Sequence, residues 1–129
     1  PVSSDTYALC VYDTVSSAPS LESESVVPPS AFLWTERRGG KGWKYKDSGA
    51  SQSGIRTIQL SAGVTGKAKI KVKAKGPLTP LPGPISGSQY FVQEPAVTVQ
   101  LVNSTGGCWE TGFAASSKNT AEKFNAKLP

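Results

Sequence analysis

Apolar and polar side chains alternate with a period of two along much of this chain, the spacing of strands with at least one buried face. Thr6 to Thr14 sets Tyr7, Leu9 and Val11 against Ala8, Cys10 and Tyr12, which predicts a strand that could be covered on both faces. Ser16 to Ser30 is rich in Ser and Pro and ends in Pro28-Pro29, so it reads as a surface loop. Ala31 to Glu36 and Trp43 to Lys46 bracket the Gly-containing connection Arg37 to Gly42, a hairpin with a longer turn. Ile55 to Ser61 is a further short strand.

The clearest pattern is GKAKIKVKAKG at 66 to 76. In a strand, Ala68, Ile70, Val72 and Ala74 share one face, and Lys67, Lys69, Lys71, Lys73 and Lys75 share the other at intervals of about 6.6 Å. A helix would scatter both sets. Pro77, Pro80, Pro82 and Pro84 then break any regular ladder and predict an extended crossover. Alternation resumes at Val97, Val99 and Leu101 and again from Cys108 to Ala114. Asn119 followed three residues later by Glu122 has the spacing of a helix capping box, which predicts a short helix over Thr120 to Lys127. About seven strands with turns between them and little helix predict an all-β fold, an antiparallel β-sandwich of immunoglobulin-like size.

Length and composition narrow this further. A chain of 129 residues is expected to form one domain, 1–129. Thirteen Gly and ten Pro favour short strands and turns over long helices. No apolar run approaches the ~18 residues of a membrane span. The chain has no Met and no leader-like start, which predicts a processed or excised product. Cys10 and Cys108 lie in two predicted strands near opposite ends; they are expected to pair as a disulfide in an oxidising compartment, the alternative being two buried thiols. Asn103-Ser104-Thr105 matches a glycosylation sequon, a short pattern that arises often by chance.

Histidine is absent. That excludes a Ser-His-Asp triad, a Cys-His pair and any His-ligated metal centre. The Gly-Lys pairs at 40–41 and 66–67 lack the spacing and the following Ser or Thr of a phosphate loop. No spacing singles out the carboxylate pair of a glycosidase. The chain is therefore expected to be non-catalytic and to need neither metal nor cofactor.

Charge is strongly segregated. Residues 1 to 36 hold Asp5, Asp13, Glu22, Glu24 and Glu36 and no base, a charge of −5, whereas 37 to 75 hold eleven bases and only Asp47, a charge of +10. These segments could cancel within one fold or attract opposite charge on other molecules, including other copies. The lysine stripe could track an acidic polysaccharide or another polyanion, with Arg37, Arg38 and Lys41 adding to it. The reading favoured for the stripe by itself is the solvated face by which a sheet avoids aggregation. Trp43 and Tyr45 have the opposite parity to Lys44 and Lys46, as core aromatics would, and Trp109 beside Cys108 suits packing against a disulfide.

GWKYKD at 42 to 47, GIRTIQLSAG, GKAKIKVKAKG, AVTVQLVNS, CWETGF at 108 to 113 and NTAEKFNAK, in that order, resemble an uncharacterised Lys-rich β-module recurring in secreted proteins of environmental proteobacteria. The resemblance spans most of the chain. It implies an exported module at the cell surface or outside the cell and supplies no activity or site residues. The first expectation is thus a non-catalytic structural or assembly module, such as an extracellular filament subunit, self-associating through segments 1–36 and 37–75. The second is a polyanion- or carbohydrate-binding module, with acidic polysaccharide favoured over nucleic acid. The third is an accessory domain of a larger secreted protein.

Overall fold

The structure is a computed structural model that describes residues 3–80 and 82–127. Ten strands occur among the described residues: β1 (Tyr7–Val15), β2 (Ala18–Val27), β3 (Trp34–Glu36), β4 (Gly42–Lys46), β5 (Ile55–Ser61), β6 (Lys69–Ala74), β7 (Val97–Asn103), β8 (Cys108–Phe113), β9 (Ser116–Thr120) and β10 (Lys123–Ala126). They form a four-stranded sheet ordered β2-β1-β7-β8, a second ordered β3-β4-β5-β6, and the hairpin β10-β9. The only helical turn among the described residues is a three-residue 3-10 turn at Arg38–Gly40.

The chain divides into two compact units, each assembled from separate stretches of sequence. One contains β3 to β6. Its core is aromatic and β-branched: Tyr7, Val27, Trp34, Tyr45, Ile55 and Ile58 are all buried. The Trp34 ring lies 5.0 Å from that of Tyr7 and 5.3 Å from that of Tyr45, both tilted, an arrangement that ring quadrupoles favour over flat stacking. The register sets Trp34 beside Tyr45 and Tyr45 beside Ile58, with Val72 next in the same row. Gly42, at φ 114°, lies so close to β5 that a Cβ there would overlap the Leu60 carbonyl oxygen.

The other unit holds most of β1, β2, β7 and β8 with the β9-β10 hairpin, and buries Cys10, Phe91, Val97 and Leu101. Asp13 of β1 is buried as well, only 1% exposed. Its carboxylate accepts hydrogen bonds from the backbone N–H groups of Val92 at 2.6 Å and Gln93 at 2.8 Å. The next peptide continues the pairing, since Glu94 N–H donates to the Thr14 carbonyl at 2.8 Å. An irregular segment is thereby held along β1 by one side chain substituting for a strand partner.

Three expectations are corrected. Most of residues 16 to 30 is strand and not loop, only 28 to 30 lying beyond it: Ser16 and Ser17, both at positive φ, form a two-residue hairpin turn into β2. Ser25 and Val27 of β2 are buried and the intervening Val26 is exposed, an alternation hidden by the strand's Ser and Glu content. The C-terminal helix is replaced by the β9-β10 hairpin, in which Phe124 pairs with Asn119 and packs edge-on against Phe91 at 5.0 Å. Asn119 caps no helix. Its side-chain oxygen accepts from the Tyr90 and Phe91 N–H groups at 2.9 and 3.0 Å, and its amide donates to the Phe91 carbonyl at 2.8 Å.

The Cys10–Cys108 disulfide is the third. Both cysteines are free, Cys10 buried and Cys108 exposed. Strand β7 stands between β1 and β8, so the two backbones are about two strand spacings apart, roughly 9.5 Å, beyond the ~7 Å that a disulfide spans. Burial, and next the Glu24 carboxylate, push the Cys10 thiol above the usual cysteine range. Trp109, 42% exposed, covers no disulfide.

Replacing Asp13 by Asn swaps one acceptor for a donor facing backbone N–H groups. We expect Asp13→Asn to cost about 2–3 kcal/mol, read as a lower urea midpoint.

Candidate polyanion-binding face

Strands β4, β5 and β6 pair antiparallel in a register that sorts their side chains onto opposite faces. One face carries Trp43, Tyr45, Ile58, Leu60, Ile70 and Val72. The other is built in three rows across the sheet. Lys44 of β4 pairs with Gln59, which pairs with Lys71; Lys46 pairs with Thr57, which pairs with Lys73; Gly42 pairs with Ser61, which pairs with Lys69.

The third row lacks a β4 cation because its residue is Gly42, but Arg37 fills the position. Its Nη1 donates to Ser61 Oγ at 2.6 Å, and Gln59 Nε2 donates to the same oxygen at 3.2 Å. Two rails of positive charge therefore run along the face, Arg37, Lys44 and Lys46 on one side and Lys69, Lys71 and Lys73 on the other. The uncharged strip of Ser61, Gln59 and Thr57 lies between them on β5, and the β4 and β6 backbones are about two strand spacings apart, roughly 9.5 Å. Every residue paired with these lysines is uncharged, and the β3 residue on this face is Thr35.

The outer lysines of the stripe lie beyond the strand. Lys67 is in the turn before β6, its N–H donating to the Val64 carbonyl, and Lys75 follows β6, its N–H donating to the Gly54 carbonyl. Arg38 and Lys41 are exposed on the connecting turn, where the Lys41 carbonyl accepts from Ala62 N–H at 3.0 Å. The structure thus brings Lys69, Lys71, Lys73 and Arg37 together and sets Lys67, Lys75, Arg38 and Lys41 around the rim. Lys44 and Lys46 were not singled out as site residues, although the alternation of GWKYK placed them opposite Trp43 and Tyr45.

Beneath the face lies a polar anchor. Asp47 Oδ2 accepts from Ser51 N–H at 2.8 Å, Ser51 Oγ at 2.6 Å and the Tyr45 hydroxyl at 3.3 Å, and Oδ1 accepts from Gly49 N–H at 3.0 Å. These bonds, that of the Ser51 hydroxyl foremost, hold the Asp47 carboxyl below the usual range although burial opposes them. Burial, reinforced by the Asp47 charge and hydrogen bond, pushes the Tyr45 hydroxyl up to about 12.

Among the described residues no group of three His, Cys, Asp or Glu side chains is placed to hold a metal ion, and no helix is long and apolar enough to cross a membrane. Comparison of the chain with protein-family models, curated proteins and solved structures finds no match.

Two predictions concern the sheet that carries this face. Asp47 has a lowered pKa, so its contribution is complete above the ordinary carboxylate range and is lost as pH falls through its folded value. Tyr45 has a raised pKa, so the unfolded chain sheds its phenolic proton first, and stability declines as pH rises from about 10 toward about 12. Urea midpoints measured across pH should fall at both ends, and Tyr45→Phe should flatten the alkaline fall. Gly54, at φ 74°, would place a Cβ overlapping Thr79 Oγ1 and 2.7 Å from Thr79 N. We expect Gly54→Ala to cost about 2–4 kcal/mol, checked by thermal denaturation.

Proposed function

We propose that this chain is a non-catalytic, exported β-sandwich module that binds acidic polysaccharide through the β4–β6 face. The observation that carries the reading is the pair of cationic rails with no carboxylate between them. Protection of an exposed sheet edge accounts for lysines on β6, which ends its sheet, but not for Lys44 and Lys46 on β4, which has a partner on each side. A face that needed only solubility would be less costly with both signs interspersed. Three like charges in each rail favour a ligand that supplies repeating negative charge along its length.

The aromatic residues favour a polysaccharide over a nucleic acid. Single-stranded nucleic acids are held by bases stacking on exposed rings, and here Trp43 and Tyr45 point to the opposite face from the lysines. Binding is then electrostatic and follows charge spacing.

Self-assembly is the other reading, favoured by Glu22 and Glu24 on β2, an edge strand that a second copy's cationic face could meet. It is the weaker one because Asp13 of the acidic segment is buried and already bonded to Val92 and Gln93. An accessory role within a longer secreted protein is compatible with either.

The test is retention on a polygalacturonate column and affinity for that polymer at several salt concentrations. With six cations engaged, affinity should fall on the order of 10³-fold between 50 and 200 mM salt, by analogy with phosphate-backbone binding. The triple variant Lys69→Ser, Lys71→Ser, Lys73→Ser should roughly halve the log–log slope. Unchanged retention of that variant would overturn the reading. Salt-sensitive dimerisation without polymer binding would favour assembly instead.

A further inference from the structure

Where β5 meets the end of β6 the pairing is irregular: Ile55 pairs with Ala74 and Thr57 with Lys73, so Arg56 is an extra residue without a partner on β6. A bulge of this kind re-aims a side chain at a sheet edge. Arg56 is exposed, and its Nη2 donates to the Ser48 carbonyl at 3.0 Å, which fixes the guanidinium over the 48–50 turn. Lys75 follows on from the β6 rail. Between them is an open cleft of about 280 Å³ lined by Ser48, Gly49, Ala50, Arg56 and Lys75 and closed by the turn Gly76–Leu78.

The lining has two chemistries. Arg56 and Lys75 supply positive charge. Arg56 has spent one donor of its fork on Ser48, which leaves others for a planar carboxylate. Ala50, Pro77 and Leu78 supply apolar surface, Leu78 being 58% exposed. No acid lines the cleft, and Asp47, next to Ser48 in sequence, has its oxygens occupied by Gly49, Ser51 and Tyr45. The volume is just below the ~300–1,000 Å³ of drug-sized sites, a size suited to one sugar ring rather than an oligomer.

We infer that this cleft is a subsite for a single uronate unit, whose carboxylate bridges Arg56 and Lys75 while the C–H face of its ring packs on Pro77 and Leu78. The inference deepens the polysaccharide reading and rests on it for its biological meaning. The rails follow charge wherever it repeats; the cleft adds recognition of a carboxylated sugar at the end of the track, where Lys73 passes into Lys75.

The experiment is titration of the isotope-labelled full chain with monomeric galacturonate, followed by backbone amide shifts. Saturable shifts confined to residues 48–50, 56 and 75–78 are expected, with affinity lowered by roughly tenfold or more in Arg56→Gln combined with Lys75→Gln. Arg56→Lys, which keeps the charge and removes the fork, should also bind more weakly and guards against misfolding of the double variant. Galactose should give no saturable shifts, and galactose 6-sulfate should bind less tightly than galacturonate. Shifts that are absent, spread along β6, unchanged in the variants or equal for the neutral sugar overturn the cleft; equal binding of the sulfate ester overturns the carboxylate assignment. Monomer binding here with no polymer retention would sink the two-rail reading alone, whereas polymer retention without monomer binding would sink the cleft alone.

Discussion

The register of β5 against its neighbours is the constraint on which the rest of this molecule depends. Side chains in a strand alternate strictly, so a slip of one residue between β5 and β6 would turn Lys69, Lys71 and Lys73 toward the face now occupied by Ile58 and Tyr45. Burying even one unpaired ammonium costs several kcal/mol, so the slipped arrangement is strongly disfavoured. The correct register is also fixed locally. Gly42 permits a backbone approach to Leu60 that a side chain would block, and the Arg56 bulge takes up an extra residue at the far end. Asp47 holds the 47–51 turn by three hydrogen bonds, from Gly49 and Ser51, and ties it to the Tyr45 hydroxyl of β4 by a fourth, closing the connection that delivers β4 to β5. Apolar burial on one side and charge avoidance on the other select the same pairing.

That arrangement has a cost, which bears on function. Two ammonium groups about 6.6 Å apart in water repel by roughly 0.6 kcal/mol, less when salt screens them. Neighbours within a rail pay this term and the rails add smaller terms across β5, with no carboxylate in the same rows to offset it. The polar middle strip relieves only part of the field: Ser61 Oγ accepts from Arg37 and from Gln59, turning its dipole toward the cations at one end. A linear polyanion lying between the rails would remove the repulsion in both at once.

The lysine sheet was legible because its signals are local and repeated. Alternation in IRTIQLS and KIKVKA gave β5 its full extent and β6 its facing, and the shared parity of Trp43 and Tyr45 placed both on the core side. The turns that trim β6 at either end, and the bulge that sets Arg56 over its cleft, depend on partner strands and leave no trace in composition. Strand β2 was hidden for another reason. Its only buried side chains are Ser25 and Val27, so an edge strand of Ser and Glu has the composition of a loop. Two cysteines in two strands suggested a bridge, and only the order β1-β7-β8 separates them.

Asn119 and Asp13 show why capping and loop signals fail in a chain of this kind. Asn and Asp are good helix caps because their short side chains accept hydrogen bonds from nearby backbone N–H groups. The same chemistry serves a segment that belongs to no strand of its own. Asn119 offers the peptide of Phe91 both an acceptor and a donor, and Asp13 offers two acceptors to Val92 and Gln93. Consecutive residues of one Pro-flanked connection are thus paired by side chains from opposite ends of the sequence, satisfying backbone groups that would otherwise cost about 1–3 kcal/mol each if buried and unbonded. Residue spacing can reveal that a side chain is able to accept from a backbone amide. It cannot reveal which amide, because the partners of Asp13 lie 79 and 80 residues away and come within reach only once the fold has formed.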